Sequence, residues 1–177
     1  MKVLQINATY ANGSTGTIVQ DIQQCCEEHG IECHVAYAIS RLSKEQIKNR
    51  YKIGNVLSNK LHAALSRLCG QQGYFSYLPT LAFLNYISRL KPDVVHLHNL
   101  HSNYINLNML LGYIAKHDIP TIVTLHDCWF YTGGCFHYTN AGCDKWQHSC
   151  GHCPKKKQDT PAYLCDKSAN KDRKSVV

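Results

Sequence analysis

The sequence contains no apolar run of the roughly 18 to 20 residues that a membrane-spanning helix needs, and only 12 of its 177 residues are Asp or Glu. The first absence argues against a transmembrane protein. Met1 leads directly into a strand pattern rather than a signal peptide, and 44% of the residues are hydrophobic, which argues against a secreted or disordered chain. We therefore expect a soluble, intracellular, cytoplasmic protein with one compact domain.

Two common nucleotide-binding fingerprints are also missing. The loop that follows the first predicted strand reads Gly-x-x-Gly from Gly13 to Gly16. This pattern is neither G-x-G-x-x-G nor a P-loop, because no lysine follows it. The glycines fit a loop whose backbone amides approach an anion, and they fit a purely structural turn equally well. Both interpretations stay open at this point.

Positive charge is in excess, since 19 Lys and Arg residues give the chain a net charge of +7. Residues 154–177 contain seven Lys or Arg and three Asp, so this end holds more than half of the excess. We assign residues 155–177 as a basic tail. Such a tail binds nucleic acid, contacts an anionic membrane surface or stays solvated.

Ten cysteines in a chain without a signal peptide favour metal binding or buried thiols over a disulfide scaffold. We interpret the four scattered cysteines of the first half as small buried hydrophobes. They are Cys25, Cys26, Cys33 and Cys69.

The cysteines of the second half are grouped, and four of them follow the spacing C-x7-C-x6-C-x2-C. Four thiolates at such spacings suit a tetrahedral structural zinc site, while reduced buried thiols, an iron–sulfur cluster and a redox pair remain as alternatives. Residues 128–154 are therefore predicted to form a Cys-rich, metal-stabilised insertion. The candidate zinc ligands are Cys135, Cys143, Cys150 and Cys153, with Cys128, His148 and His152 as other possible donors.

Strand and helix patterns alternate along the first 127 residues. This order implies right-handed crossovers, and it predicts an α/β fold, a Rossmann-like parallel sheet with helices on both faces. We interpret the apolar stripes of the two central helices as packing surfaces. The predicted strands are 2–6, 32–38, 92–97 and 121–125, and the predicted helices are 17–29, 56–68, 79–90 and 104–117.

Polar side chains follow two of these strands directly. His98, Asn99 and His101 come after strand 92–97, and His126 and Asp127 come after strand 121–125. Ligands of open parallel sheets bind beyond the carboxyl ends of the strands, so these groups are expected at one rim. Imidazole, carboxamide and carboxylate groups suit hydrogen bonds to sugar hydroxyls, metal ligation or proton transfer, and the sequence alone does not separate these roles.

The segments around these positions resemble a known family. Val3 to Gly16, Asp93 to His101 and above all Thr124 to Trp129 are similar to the amino-terminal half of family-4 retaining glycosyltransferases. Within that family the chain most resembles bacterial enzymes of colanic acid, O-antigen and exopolysaccharide biosynthesis. The resemblance covers residues 1–168 and is most specific over 124–154, where the order of Trp, Gly, Cys and Pro residues agrees with that subgroup.

The resemblance implies a GT-B architecture, in which two Rossmann-like domains face each other across a cleft. The acceptor lies mainly on the first domain and the sugar nucleotide mainly on the second, and only the first is present here. The implied activity is sugar transfer from a sugar nucleotide to a lipid-linked or polysaccharide acceptor, as in O-antigen, capsule, lipopolysaccharide or colanic acid biosynthesis. The implied location is the inner face of the cytoplasmic membrane, with peripheral contact to it.

Retention is attributed in this family to a front-face route with an oxocarbenium-like transition state, which needs no catalytic metal and no second carboxylate. The donor-binding carboxyl-terminal domain is absent from the chain. We therefore expect a truncated form or a separately encoded second half, and little or no transferase activity from this chain alone.

Carried over residue by residue, the resemblance implies a role for each polar group at the rim. His126 contacts the transferring sugar, and His98 and Asn99 lie on the acceptor side with Asp127 beside them. His126 and Asp127 are the candidate catalytic residues. The glycine loop approaches the donor phosphate or the acceptor. The candidate substrate-binding residues are Asn12, Gly13, Ser14, Thr15, Gly16, His98, Asn99 and His101.

A second hypothesis belongs to a different class, namely a zinc-stabilised module that contacts nucleic acid through its basic tail. Against it, the positive charge follows the cysteines instead of interleaving with stacking aromatic residues, and the strand-end histidines have no role in it. Nucleic acid is therefore not the expected partner. A third option is a remnant without activity.

Overall fold

The computed structural model describes residues 1–43, 46–132, 134–148, 150–159 and 161–164. Five strands form one sheet in the order β3-β2-β1-β4-β5, and every neighbouring pair is parallel. The predicted Rossmann-like α/β class is confirmed, with one strand more than predicted. The strands are β1 (Lys2–Tyr10), β2 (Glu32–Ser40), β3 (Arg50–Lys52), β4 (Val94–Leu97) and β5 (Thr121–Val123).

Helices connect β1 to β2, β3 to β4 and β4 to β5. Two short 3₁₀ helices, Tyr138–Ala141 and Lys145–Gln147, follow the last α-helix. The α-helices are α1 (Gly13–Glu28), α2 (Val56–Cys69), α3 (Tyr77–Leu90), α4 (Leu107–Lys116) and α5 (Trp129–Thr132).

The two faces of the sheet are covered by different helices, because successive side chains of a strand point to opposite faces. Leu4 of β1 belongs to the same buried cluster as Phe83 of α3 and Leu110 of α4. The next residue, Gln5, points the other way and donates to the carbonyl of Val19 in α1. The core therefore lies in two layers, one on each side of the sheet.

Two predicted boundaries are wrong, because β1 continues past residue 6 to Tyr10 and α1 begins at Gly13 rather than at residue 17. The extension pairs with β2 as far as Tyr10. On its other side Asn99 adds two contacts, since its carbonyl accepts from the Ala8 N–H and its N–H donates to the side chain of Asn7. Gly16 therefore lies in the first turn of α1. A Cβ there would come 3.0 Å from the Thr9 hydroxyl oxygen, so only glycine lets this turn lie directly against β1.

The packing interpretation is correct for α3, where Phe83 and Ile87 are buried, and wrong for α2. In α2 the buried side chains are His62 and Ser66, while its apolar stripe faces outward. The apolar side chains of α2 that are exposed are Val56, Leu57, Leu61, Leu65 and Leu68.

The interpretation of the first-half cysteines as buried thiols holds only for Cys33. Burial raises the pKa of the Cys33 thiol to about 12, although a hydrogen bond with Gln5 lowers it in part. Cys25 is exposed, and Cys26 and Cys69 are half-buried. Cys33 is therefore a protonated, unreactive thiol at neutral pH.

Most of the predicted basic tail, residues 165–177, lies outside the described residues. Lys155, at its start, is buried and does not extend into solvent. Over the described part of the chain, no helix combines the length and the hydrophobicity needed to cross a bilayer.

Candidate active site at the carboxyl end of the sheet

A cleft of about 550 Å³ opens at the carboxyl end of the sheet, a volume within the range of small-molecule sites. It lies between the start of α1, the loops after β4 and β5, and the segment 136–159. Eight of the predicted site residues line it, namely Asn12, Gly13, Ser14, Thr15, Asn99, His101, His126 and Asp127. Gly16, His98 and the four zinc candidates lie outside this lining.

The first turn of α1 forms one wall of the cleft. Its initial N–H groups have no carbonyl partner within the helix, and the turn Gly13–Gly16 contains no acidic side chain. The helix dipole adds a partial positive charge at this end. This wall therefore suits an anionic group such as a phosphate.

His126 is the last member of a hydrogen-bonded chain that begins inside the sheet. The Gln5 amide nitrogen donates to the Val19 carbonyl at 3.1 Å and to the Cys33 sulfur at 3.3 Å, which directs the Gln5 oxygen toward His98. That oxygen lies 3.1 Å from Nε2 of His98, and Nδ1 of His98 lies 3.0 Å from Nε2 of His126.

The order of donors fixes the tautomers of the two rings. Because the Gln5 oxygen can only accept, His98 donates from Nε2 and accepts at Nδ1. His126 then donates from Nε2. The ring of His126, which lines the cleft, is thereby held in one orientation by the interior of the sheet.

Burial keeps the inner histidines neutral. His98 is 3% exposed, and burial lowers its pKa to about 3, with His96 and His126 adding to the effect. Burial also lowers the pKa of His96, whose Nε2 lies 2.8 Å from the hydroxyl of Thr124. The histidines behind the cleft therefore act as hydrogen-bonding groups rather than as charges.

Asp127 is held by two neighbours. Its Oδ2 lies 3.1 Å from Nε2 of His101, and its Oδ1 accepts from the Trp129 N–H at 2.8 Å. Burial alone raises the pKa of Asp127, but the bonds from His101 and Trp129 outweigh it, so the pKa lies below its usual value. Both carboxylate oxygens have partners, so Asp127 positions His101 and the start of α5.

Several lining residues were missed by the sequence reasoning. Lys155 is the clearest of them: its Nζ lies 2.7 Å from Oδ2 of Asp159 and donates to the His137 carbonyl at 3.2 Å. Asp159 also accepts from the N–H of Phe136 at 3.3 Å. Lys155 was assigned to the basic tail because it opens a run of three lysines, and no feature of the sequence separates it from the other two.

The four zinc candidates line one small cavity of about 20 Å³ beside Trp146. Four thiols are a donor set that suits zinc. Within the described ranges, however, no three His, Cys, Asp or Glu side chains are grouped as a metal site requires, and this applies to the strand-end histidines too. The cysteines therefore share a cavity without the closed geometry of a metal centre.

Comparisons with known proteins bear on the family of the chain. The sequence model of Glycosyltransferase Family 4 matches residues 15–153. The chain is also 28% identical over 166 residues to a protein of Escherichia coli (strain K12) named as a colanic acid biosynthesis glycosyl transferase, WcaC. That alignment covers 87% of this chain and 40% of the relative, so the chain spans less than half the relative's length. No solved structure matches the chain.

Proposed function

Because this chain belongs to glycosyltransferase family 4, we propose that it is the acceptor-side half of a sugar-nucleotide-dependent transferase of bacterial exopolysaccharide biosynthesis. The observation that carries the proposal is the cleft in which the start of α1 and the ring of His126 face the same space. An anion-binding wall and a hydrogen-bonding ring beside it suit the two parts of a sugar phosphate.

In this proposal, different residues of the cleft bind different parts of the two substrates. The N–H groups of the first turn of α1 bind a phosphate, and the ring of His126 contacts a hydroxyl of the transferring sugar. His98 positions His126 from behind, and Asn99 and His101 lie on the acceptor side. Asp127 holds His101 in place through its carboxylate.

The donor belongs to a second domain in this proposal. The alignment with WcaC covers 40% of that relative, which leaves ample length for another domain of similar size. We propose a sugar nucleotide as donor and a lipid-linked or polysaccharide acceptor of the O-antigen, capsule or colanic acid type. The chain then works at the inner face of the cytoplasmic membrane, and alone it transfers little or no sugar.

The Cys-rich segment is proposed to bind a structural zinc ion. Support comes from the shared cavity of the four thiols and from the scarcity of aliphatic side chains in this segment. The thiols must move closer together for this to occur. Any such metal orders the segment beside the cleft and takes no part in the reaction.

The nucleic-acid alternative receives no support from the described residues. Lys155 contacts Asp159 and borders the cleft, so it is not available to a separate basic surface.

A chimera tests the function directly. This chain replaces the 166 matched residues of WcaC, and transfer of labelled sugar from a panel of sugar nucleotides to membrane extracts is measured. We expect transfer by the chimera, with loss of about a hundredfold or more for His126→Ala and little change for the exposed control His148→Ala. A chimera that folds but transfers equally well with His126→Ala contradicts the proposed role of the cleft.

A further inference from the structure

The segment 136–159 supplies one wall of the cleft at the carboxyl end of the sheet. Lys155 and Asp159 border the same space as Ser14 and Thr15 of α1. Among the described residues that line the cleft, Lys155 is the only Lys or Arg. Its side chain is only 10% exposed, although lysine side chains normally extend into solvent. A nearly buried cation therefore borders a cleft whose other wall suits an anion.

Two successive turns hold the backbone on both sides of Lys155. The N–H of Lys156 donates to the Cys153 carbonyl at 3.1 Å. The N–H of Gln158 donates to the Lys155 carbonyl at 3.0 Å. Of the three consecutive lysines only the first lines the cleft, since Lys156 is half-buried elsewhere and Lys157 is exposed. The position of Lys155 is therefore specific, and its two neighbours provide matched controls.

The ammonium of Lys155 is held by an ion pair. Its Nζ lies 2.7 Å from Oδ2 of Asp159 and donates to the His137 carbonyl at 3.2 Å. The same carboxylate oxygen accepts from the Phe136 N–H at 3.3 Å. The Phe136 ring packs on the ring of His101, with 4.9 Å between the ring centroids. The pair is thus connected to the polar groups that follow the strands.

The charge of the lining depends on Lys155. Apart from histidines, the other ionisable side chains of the lining are the carboxyl groups of Asp127 and Asp159. The pKa of Asp127 lies below its usual value because the bonds from His101 and Trp129 outweigh burial, so this group is a carboxylate at neutral pH. The helix dipole at the start of α1 adds only about half an elementary charge. Without Lys155, two carboxylates would face a bound phosphate.

We propose that Lys155 is the cation that binds the phosphate of the substrate in this cleft, together with the first-turn N–H groups of α1. The N–H groups supply oriented donors, and the ammonium supplies a full charge, as lysines do in other phosphate sites. Asp159 holds the ammonium in place. The inference deepens the proposed function and rests on the phosphate-binding role given there to the start of α1.

The inference also gives the Cys-rich segment a task in binding. This segment, residues 128–154, ends directly before Lys155 and is joined to it by the turn that begins at Cys153. Ordering of the segment therefore sets the place of the cation. In this account the sequence after the last strand supplies a charge that the strand ends lack.

A purely structural ion pair is the competing explanation, because Lys155 and Asp159 are four residues apart and would stabilise their turn in any setting. The two explanations differ in one consequence. A structural pair does not respond to the charge of a ligand in the cleft, whereas a phosphate-binding ammonium does.

The direct experiment uses the unaltered 177-residue chain. It is titrated with glucose 1-phosphate, and with methyl glucoside as the uncharged probe, while nitrogen-15 NMR follows the Lys155 ammonium and the amides of Ser14 and Thr15. We expect a saturable shift of the ammonium signal with glucose 1-phosphate only. Shifts at Ser14 and Thr15 without one at Lys155 overturn this inference and leave the proposed function standing. Absence of shifts at all three overturns both.

Variants separate a contact with the phosphate from mere screening of Asp159. Lys155→Met should weaken binding of glucose 1-phosphate about tenfold or more, and Lys155→Arg, which retains the charge, should stay within about threefold of the unaltered chain. The double variant Lys155→Met/Asp159→Asn removes both charges and should still bind at least about fivefold more weakly. A double variant with unaltered affinity would show that Lys155 only neutralises Asp159, and this would overturn the inference.

The neighbouring lysines control for general attraction to a basic segment. Lys156→Met and Lys157→Met each remove one charge next to the cleft and should bind glucose 1-phosphate like the unaltered chain. Equal losses in all three single Lys→Met variants would overturn the specific role of Lys155. Circular dichroism of each variant verifies that it is folded.

Discussion

Nε2 of His126 lies 3.0 Å from Nδ1 of His98, and this hydrogen bond links the open cleft to the buried interior of the sheet. His98 in turn contacts the Gln5 oxygen, so a residue in the middle of β1 helps to hold the ring of His126 at the cleft. A ring held in place before binding contacts a sugar hydroxyl without rearrangement at the moment of binding.

The fixed tautomers can be observed by nitrogen-15 NMR of the imidazole rings. We expect His98 to stay neutral, with its proton on Nε2, from about pH 5 to pH 8, because its pKa is lowered by burial to about 3. Replacing the acceptor in Gln5→Leu should release this preference, while Gln24→Leu, on the exposed side of α1, should leave it unchanged. A His98 ring that titrates near its ordinary pKa contradicts the hydrogen-bonded chain.

Stability should depend on pH through the same residue. His98 titrates at about 3 in the folded chain and at about 6.5 when unfolded, so between these values the unfolded state binds the additional proton. The free energy of unfolding therefore falls as the pH drops below about 6.5, by at most about 1.4 kcal/mol per pH unit from this group.

Urea unfolding of the chain at several pH values measures this slope. The variant His98→Gln should show a flatter dependence between about pH 6 and pH 4, and His148→Gln, an exposed control, should retain the original one. Equal slopes for all three proteins would show that His98 does not carry the effect.

Substitutions at two glycines should have opposite effects. Gly16→Ala places a Cβ 3.0 Å from the Thr9 hydroxyl and 3.3 Å from the Ala11 nitrogen, so the first turn of α1 must shift. We expect a loss of about 1–3 kcal/mol in the free energy of unfolding. At Gly112, in α4, a Cβ meets nothing within 4 Å, and Gly112→Ala should stabilise the chain by about 0.5–1 kcal/mol. Thermal unfolding of both variants provides the comparison.

The proposed zinc ion can be tested by elemental analysis of protein purified without added metal. We expect one zinc per chain, lost in Cys143→Ser/Cys153→Ser and retained in Cys25→Ser/Cys69→Ser, which changes two cysteines far from the cavity. Protein that contains no zinc, and whose Cys-rich segment unfolds no earlier after treatment with a chelator, contradicts the proposal.

Local sequence patterns predicted the sheet well where strands are short and buried, as at Val94–Leu97, which has the predicted carboxyl end. They failed where tertiary contacts decide the outcome. Residues 7–10 are strand because β1 pairs with β2 as far as Tyr10 and Ser40, and Asn99 adds a contact to Asn7 across 92 positions. No local pattern contains these contacts. The stripe of α2 has ordinary helical periodicity, and periodicity does not reveal which side of a helix faces solvent.

The sequence predicted most of the residues that form the candidate site, but it did not predict the role of each one. Strand-end polar residues converge by topology alone, which is why His126 and Asn99 share one cleft with the start of α1. His98 also follows a strand end in the sequence, but its side chain contacts the buried Gln5. Lys155 contacts the His137 carbonyl at the cleft, although its segment was predicted to be a solvated tail.

The most direct test of the central claim is nitrogen-15 NMR of the chain titrated with a hexose 1-phosphate, with inorganic phosphate and free hexose as separate controls. We predict saturable shifts of the backbone amides at Ser14 and Thr15 and of the His126 ring, larger for the hexose 1-phosphate than for either control. His126→Ala should weaken binding of the hexose 1-phosphate and leave that of inorganic phosphate unchanged. Absence of any shift at the cleft, at every concentration of the hexose 1-phosphate, would contradict the account.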